Sequence, residues 1–324
     1  MSYPKEIYLK AERILQQRRE DSAMDAHYRL EEIMEKLPEI QELQKQLSVI
    51  GVEISTLFLH QGGDIQQKVS ELRQKSEALV AKRAKVLTAN GYNENAMSQI
   101  HICPACEDKG FVGGKICSCH RQLLKDLMHN ELKKTAPIDD CTFDNFSLDY
   151  YSQTPLDNSV VPYNKAKAVF DACRRYAQNF SLDSKNLLFM GGTGLGKTHL
   201  SLAIANVAVN RGFWVCYGTS QNICDDMQAE QFGRGDDCYY NKSKVFNCDL
   251  LIIDDLGTEI ANQYSVATIY NIINTRMLAK KPTIISTNYA FEQLQDKYDQ
   301  RITSRINGEY VAFYLVGNDI RNIK

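Results

Sequence analysis

The chain has 324 residues, 44% of them hydrophobic and 24% charged, with a formal net charge of −2. That is enough chain for two domains with a sizeable core. The near-neutral balance excludes a protein drawn to nucleic acid by its overall field, so any such contact has to come from a local patch.

The opening stretch, MSYPKEIYLKAERI, carries charges every few residues and has no apolar centre, unlike a signal peptide. No apolar run approaches the roughly 18 residues of a membrane span, so a cytoplasmic protein with no membrane partner is expected. Residues 1–36 show a helical period through Ile7, Ala11, Ile14 and Leu15, then Leu30, Ile33, Met34 and Leu37. From Pro38 the steps of three and four sharpen into a heptad seam of Ile40, Leu43, Leu47, Ile50, Ile54 and Leu57. HQGGD interrupts it, with Asp64 placed to cap a second run through Val69, Leu72, Ser76, Leu79, Arg83 and Val86. Asn90-Gly91 closes that run. An antiparallel helical hairpin preceded by another helix is predicted over residues 1–98, serving either as a self-contained bundle or as a docking surface for a partner helix. Residues 1–95 hold 14 Lys plus Arg against 15 Asp plus Glu, a balance that argues against a DNA-binding arm.

Four of the ten cysteines fall within CPACEDKGFVGGKICSCH. Cys103 and Cys106 form one close pair, Cys117 and Cys119 a second, with a Gly-containing loop between. Two such pairs can set four thiolates tetrahedrally around one Zn²⁺, which defines a knuckle over 99–122 with a structural role. The tight second spacing leaves His120 as an alternative to Cys119. A redox pair or an iron–sulfur cluster is the competing reading, but this C-x-x-C is not at a strand–helix junction. Lys109, Lys115, Arg121 and Lys125 around the knuckle offer contacts to a nucleic-acid backbone. The other six cysteines are read as small buried hydrophobes.

Residues 123–160, with Pro137, Pro155 and the aromatic run CTFDNFSLDYYS, are read as a linker packing on the domain after it. From Asn186 onward the runs NLLFMG, FWVCYG, DLLIIDD, PTIISTN and YVAFYLVG alternate with helical stretches, which predicts a parallel α/β sheet.

GGTGLGKT, comprising Gly191, Gly192, Thr193, Gly194, Leu195, Gly196, Lys197 and Thr198, follows the first strand and opens a helix. Its glycines let backbone N–H groups turn inward around phosphate oxygens, and the helix directs its positive end at the same anion. Lys197 is expected at the β- and γ-phosphates of ATP and Thr198 on Mg²⁺. LLIIDD reads as a buried strand delivering Asp254 to the Mg²⁺ and Asp255 to the attacking water, with Glu259 as a substitute for the latter. Asn288, at the end of PTIISTN, falls between these motifs and is expected near the γ-phosphate. Arg301 and Arg305 lie four apart on a helix at the sheet edge. Such a pair is commonly a solvated face, but a guanidinium there is placed for a neighbouring subunit's phosphate rather than its own.

Taken in order, the phosphate loop, LLIIDDLGTE, IISTN and RITSRI resemble an AAA+ ATPase, and more narrowly the bacterial DnaC/DnaI helicase loaders and the related IstB transposition ATPases. The N-terminal helices and the cysteine segment resemble the zinc-containing arm of loaders from low-GC Gram-positive bacteria and their phages. The resemblance implies an AAA+ P-loop domain over 161–324 with helices on both faces of the sheet and no C-terminal lid. It implies Walker A at Lys197 and Thr198, Walker B at Asp254 and Asp255, sensor 1 at Asn288 and an arginine finger at Arg305, with Arg301 second. Arg321 stands in for the lid arginine. The implied function is ATP-dependent loading of a hexameric DnaB-type helicase onto single-stranded DNA, with homo-oligomers in the ATP state. The rivals are an IstB-like helper that recruits a transposase and an adaptor that binds ATP without hydrolysing it.

Overall fold

The computed structural model describes residues 3–59, 65–156, 159–234, 238–260, 262–298 and 300–322. Asp64 and the rest of HQGGD lie outside the described residues. The chain divides into two compact units, Glu12–His120 and Met1–Ala11 with Arg121–Lys324.

The Glu12–His120 unit is helical. Helix α1 (Lys5–Lys36) continues through it, followed by α2 (Pro38–Leu59) and α3 (Ile65–Ala89). The predicted seam is the packed face: Ile40 and Leu43 of α2 are buried with Ile33 and Leu87, and Leu79 and Val86 pack against them. Because the start of α2 meets the end of α3, the pair is antiparallel, and Lys82–Glu39 (3.2 Å) and Arg83–Gln44 (3.1 Å) tie it along the rim. Gly91 is left-handed (φ +81°) and Tyr92 N–H reaches back to Leu87 O at 3.0 Å, closing α3 as its Asn-Gly ending predicts. Strands β1 (Phe111–Val112) and β2 (Lys115–Ile116) form a short antiparallel hairpin, after which α4 (Ser118–Lys133) begins.

The other unit is built on α5 (Pro162–Gln178), β3 (Asn186–Met190), α6 (Lys197–Asn210), β4 (Val215–Thr219), α7 (Ser220–Gln231), α8 (Lys242–Asn247), β5 (Leu250–Asp254), α9 (Gln263–Leu278), β6 (Thr283–Thr287), α10 (Phe291–Lys297), α11 (Gln300–Glu309) and β7 (Tyr310–Tyr314). All five expected runs are strands. They pair in the order β4-β5-β6-β3-β7, every neighbour parallel. Each residue of β5 and β6 is buried, so both faces of the sheet are covered, as a parallel sheet requires. A single turn of 3₁₀ helix at Ile320–Asn322 follows β7 among the described residues.

Register decides where the chemistry gathers. Thr219 pairs with Asp254, and Met190 pairs with both Thr287 and Tyr314. The phosphate loop, the Asp254-Asp255 pair and Asn288 therefore leave the sheet at the same carboxyl edge, where open α/β sheets bind ligands. At the opposite edge, fully buried Arg276 donates to Val245 O (2.9 Å), Pro282 O (2.7 Å) and Thr283 Oγ1 (3.0 Å), fixing the starts of β5 and β6. Among the described residues no helix is long and apolar enough to cross a membrane.

Candidate functional site

A cavity of about 510 Å³ opens at this carboxyl edge. Its floor is Thr193, Gly194, Leu195, Gly196, Lys197 and Thr198, with Asp255 and Asn288 across from them. The loop can wrap only because of its glycines. Gly194 and Gly196 are left-handed (φ +71° and +80°), and a Cβ on Gly191 would sit 2.2 Å from Leu315 O.

Lys197 is nearly buried and donates to Gly191 O (2.8 Å), Gly192 O (2.7 Å) and Asn288 Oδ1 (2.7 Å). Burial pulls its ammonium pKa below the ordinary lysine value, partly offset by Asp255 and Asp254. The amide of Asn288 has a second role, its Nδ2 donating to Asp255 Oδ1 at 3.2 Å. Burial, and then the neighbouring Asp254, raise the Asp255 carboxyl above its ordinary range, against the pull of Lys197 and the Asn288 hydrogen bond. Asp255 has a left-handed backbone (φ +52°), a conformation aspartate tolerates better than most residues.

Asp254 is buried and takes three hydroxyl donors: Thr198 Oγ1 (2.8 Å) and Tyr217 (2.7 Å) on Oδ2, and Ser286 on Oδ1. Ser286 Oγ also accepts from Asp255 N–H at 2.9 Å, so one serine of β6 ties both acids in place. Burial, reinforced by Asp254, raises the Tyr217 phenol, which stays a donor. Thr198 and Asp254 thus bring two oxygens together beside the phosphate loop, a donor set suited to Mg²⁺.

Glu259 does not line the cavity. It is buried, accepting from Ser220 Oγ (2.7 Å), Gly257 N–H (2.9 Å) and Tyr298. Arg301 and Arg305 do not line it either. They project from α11 against α9, both over the ring of Tyr270.

The sequence reading missed the far wall. Asn145, Phe146, Ser147 and Tyr150 line the cavity, Phe146 stacks on Phe170, and Tyr151 donates to Leu195 O at 2.9 Å. The aromatic richness of CTFDNFSLDYYS was the available signal. Ile320 and Arg321 close another side. Ile320 N–H bonds to Gly194 O (3.1 Å), and Asp319 lies so near Gly194 that a Cβ there would overlap its Oδ1.

In the helical unit, the sulfurs of Cys103, Cys106, Cys117 and Cys119 all lie within 4.8 Å of one another. Cys103 and Cys117 are 3.8 Å apart, and Cys106 and Cys119 are 3.4 Å apart. A tetrahedral Zn²⁺ with bonds of about 2.3 Å needs sulfur–sulfur edges of about 3.8 Å, so the thiols fit the ion. Gly110 N–H points at Cys106 Sγ (3.4 Å), and an N–H bond from Cys119 pulls the Cys117 thiol down to about 7. His120 stays out of the cluster, with Nδ1 3.3 Å from Gly110 O. Asp108, fully buried, accepts from Ile102 N–H (2.8 Å) and Cys103 N–H (3.1 Å), clamping the arm that carries the first thiol.

Residues 172–306 match the family described as IstB-like ATP binding protein. The replicative helicase loader DnaC of Escherichia coli (strain K12) is 27% identical over 176 residues, 53% of this chain and 66% of that protein. DnaC of Buchnera aphidicola subsp. Acyrthosiphon pisum (strain APS) is 24% identical over 180 residues, 52% of this chain and 73% of that one. Among solved structures, a DnaC helicase loader aligns with TM-score 0.45 at 23% identity, covering 55% of this chain and 98% of its own. A DnaI structure aligns with TM-score 0.38 at 23% identity, over 54% and 94%. Residues 172–306 are thus similar to the IstB-like ATP binding proteins, on a chain similar over about half its length to the DnaC replicative helicase loaders.

Proposed function

We propose that the chain is an ATP-hydrolysing loader of a hexameric replicative helicase onto single-stranded DNA. The observation that carries the nucleotide chemistry is the hydrogen-bonded chain Lys197–Asn288–Asp255 beside the Thr198–Asp254 pair, all at the mouth of one cavity. ATP enters with its phosphates on the loop N–H groups. Lys197 gives up its bonds to Gly191 O and Gly192 O and takes the β- and γ-phosphate oxygens instead. Thr198 and Asp254 hold Mg²⁺, which when bound neutralises phosphate charge. Asp255, released by Asn288, orients the attacking water and accepts its proton, while the Asn288 amide turns to the γ-phosphate. Arg305 acts on the triphosphate of a neighbouring copy, where a fixed guanidinium is worth ~10³–10⁵ in rate.

The helicase partner rests on the similarity to loaders. The matched ATP-binding segment is common ground with transposition helpers, whereas the DnaC relatives are loaders. We assign residues 1–98 to helicase docking, 99–122 to a zinc knuckle that fixes the fold, 123–160 to a linker and 161–324 to the ATPase. The test is phosphate release by the purified chain alone, with single-stranded DNA and with the cognate helicase. Light scattering during size exclusion, with and without ATP, tracks the complex. Loss of helicase association on deleting residues 1–120 is expected. Association that survives the deletion, or never forms, removes the loader assignment.

A further inference from the structure

Helices α9 and α11 each present a pair of side chains four residues apart, and the two pairs meet. Tyr270 and Asn274 face outward from α9, whose inner face buries Ile269, Ile272 and Ile273. Arg301 and Arg305 face them from α11, whose inner face buries Ile302 and Ile306. Residues four apart on a helix share a face, so the juxtaposition follows from packing the two apolar stripes.

The contacts are specific. The Arg305 guanidinium carbon stands 5.0 Å from the centre of the Tyr270 ring, and that of Arg301 stands 5.5 Å away. Arg305 Nε donates to Asn274 Oδ1 at 2.9 Å and Nη1 to Arg301 O at 3.0 Å. Among the described residues, Nη2 has no hydrogen-bond partner. A long side chain with many rotamers is thus held along one edge. Among the described residues no carboxylate forms an ion pair with Arg305 to offset its positive charge. The ring gives attraction without neutralising that charge.

We propose that Tyr270 and Asn274 are positioning residues for Arg305, holding its guanidinium ready for the triphosphate of a second copy of this chain. The inference rests on the reading that Arg305 acts between copies. Pre-orienting the arginine removes the rotamer entropy otherwise lost when the copies meet, and that saving appears in the rate. Neither residue touches the nucleotide bound in its own protomer, since neither lines the phosphate-loop cavity.

The experiment mixes two variants. The acceptor is Arg305→Ala, with its own nucleotide cavity intact. The donor is Asp255→Asn, unable to turn over its own ATP but with Arg305 present. Each alone is expected to be nearly inactive, and mixing is expected to restore phosphate release. Adding Tyr270→Ala or Asn274→Ala to the donor is expected to cut the restored rate about threefold to tenfold, while Tyr270→Phe, which keeps the ring, restores it fully. Fluorescent-nucleotide affinity and Tm of the Tyr270→Ala and Asn274→Ala single variants, measured alone, are expected to match the parent. These readouts separate a positioning defect from a fold defect. Donors carrying Tyr270→Ala and Asn274→Ala that restore the rate in full overturn the inference. A donor carrying both Asp255→Asn and Arg305→Ala that restores it as well as Asp255→Asn alone overturns the reading beneath it.

Discussion

The ammonium of Lys197 lies 2.7 Å from the Asn288 carbonyl oxygen, joining the phosphate loop after β3 to the end of β6. The same amide donates to Asp255. Asn288 therefore satisfies a cation and an anion at once, and under the proposed function both are released when nucleotide takes the lysine. Asn288→Ala is expected to leave nucleotide affinity within about threefold, because the loop N–H groups and Lys197 remain. Turnover is expected to fall ~10²-fold, the usual cost of losing one placed donor at a developing charge. Comparing fluorescent-nucleotide titration with steady-state phosphate release checks the split. Equal losses in both would make Asn288 a binding residue only.

Asp255 links activity to stability with a defined sign. Burial and the adjacent Asp254 raise its pKa, with Lys197, Asn288 and Arg321 pulling the other way. A group whose native pKa is raised contributes stability below its unfolded pKa, and that contribution is lost as pH rises through the native value. At neutral pH the Asp255 charge therefore works against the nucleotide-free fold. Asp255→Asn is expected to raise Tm at pH 7.5, with the difference from the parent closing as pH falls toward the ordinary carboxylate range, and to cut turnover ~10²–10⁴-fold. Thermal melts across pH, paired with phosphate release, test it. A variant less stable at pH 7.5 contradicts the assignment.

The sheet was legible because each strand is a short apolar run bounded by turn residues, and β5 and β6, buried on both faces, announce themselves most plainly. Local motif spacing also pointed Lys197, Thr198, Asp254, Asp255 and Asn288 toward one sheet edge, since each follows its own strand. The hairpin seam of α2 and α3 was readable for the same reason, although fully buried Leu87, four residues after Arg83, was passed over for its neighbour Val86. What stayed hidden depends on contacts between segments remote in sequence. Tyr217 and Ser286 reach Asp254 only through strand order. Asn145, Phe146, Ser147, Tyr150, Ile320 and Arg321 become cavity walls only once the chain has folded around the phosphate loop. Asp108 reads as an ordinary acid in CEDKG, because nothing local marks a carboxylate that will bind two backbone N–H groups.

That carboxylate bears on the metal. Asp108 accepts one hydrogen bond each from the Ile102 and Cys103 backbone N–H groups and lies 3.8 Å from His101 Nδ1. Groups behind the ligands commonly change metal affinity ~10–100-fold. Asp108→Ala is expected to weaken zinc binding by that factor, read by competition with a chromophoric chelator, and to broaden the visible bands of the cobalt-substituted protein. Removing the metal with a chelator is expected to lower the melting temperature of the parent. An unchanged zinc affinity in the variant would confine Asp108 to shaping the turn.

The turn after β7 sets an acid beside the phosphate loop. Asp319 pairs with Arg321 at 2.7 Å and accepts its backbone N–H at 3.0 Å, which holds the carboxyl below the usual range. Arg321 is exposed and lines the phosphate-loop cavity, so under the proposed function the pair sits where a triphosphate places its charge. Anionic Asp319 repels that charge and also engages a cation that would attract it. Asp319→Ala is therefore expected to tighten ATP binding about twofold to fivefold, and Arg321→Ala to weaken it by a similar factor, the scale of one exposed ion pair. Both effects should shrink as salt is raised, because exposed charges are screened beyond ~10 Å at 0.1 M. Nucleotide titrations at two salt concentrations decide the matter. Asp319→Ala binding more weakly than the parent at low salt would mean that the turn supports the loop mechanically, its charge being secondary.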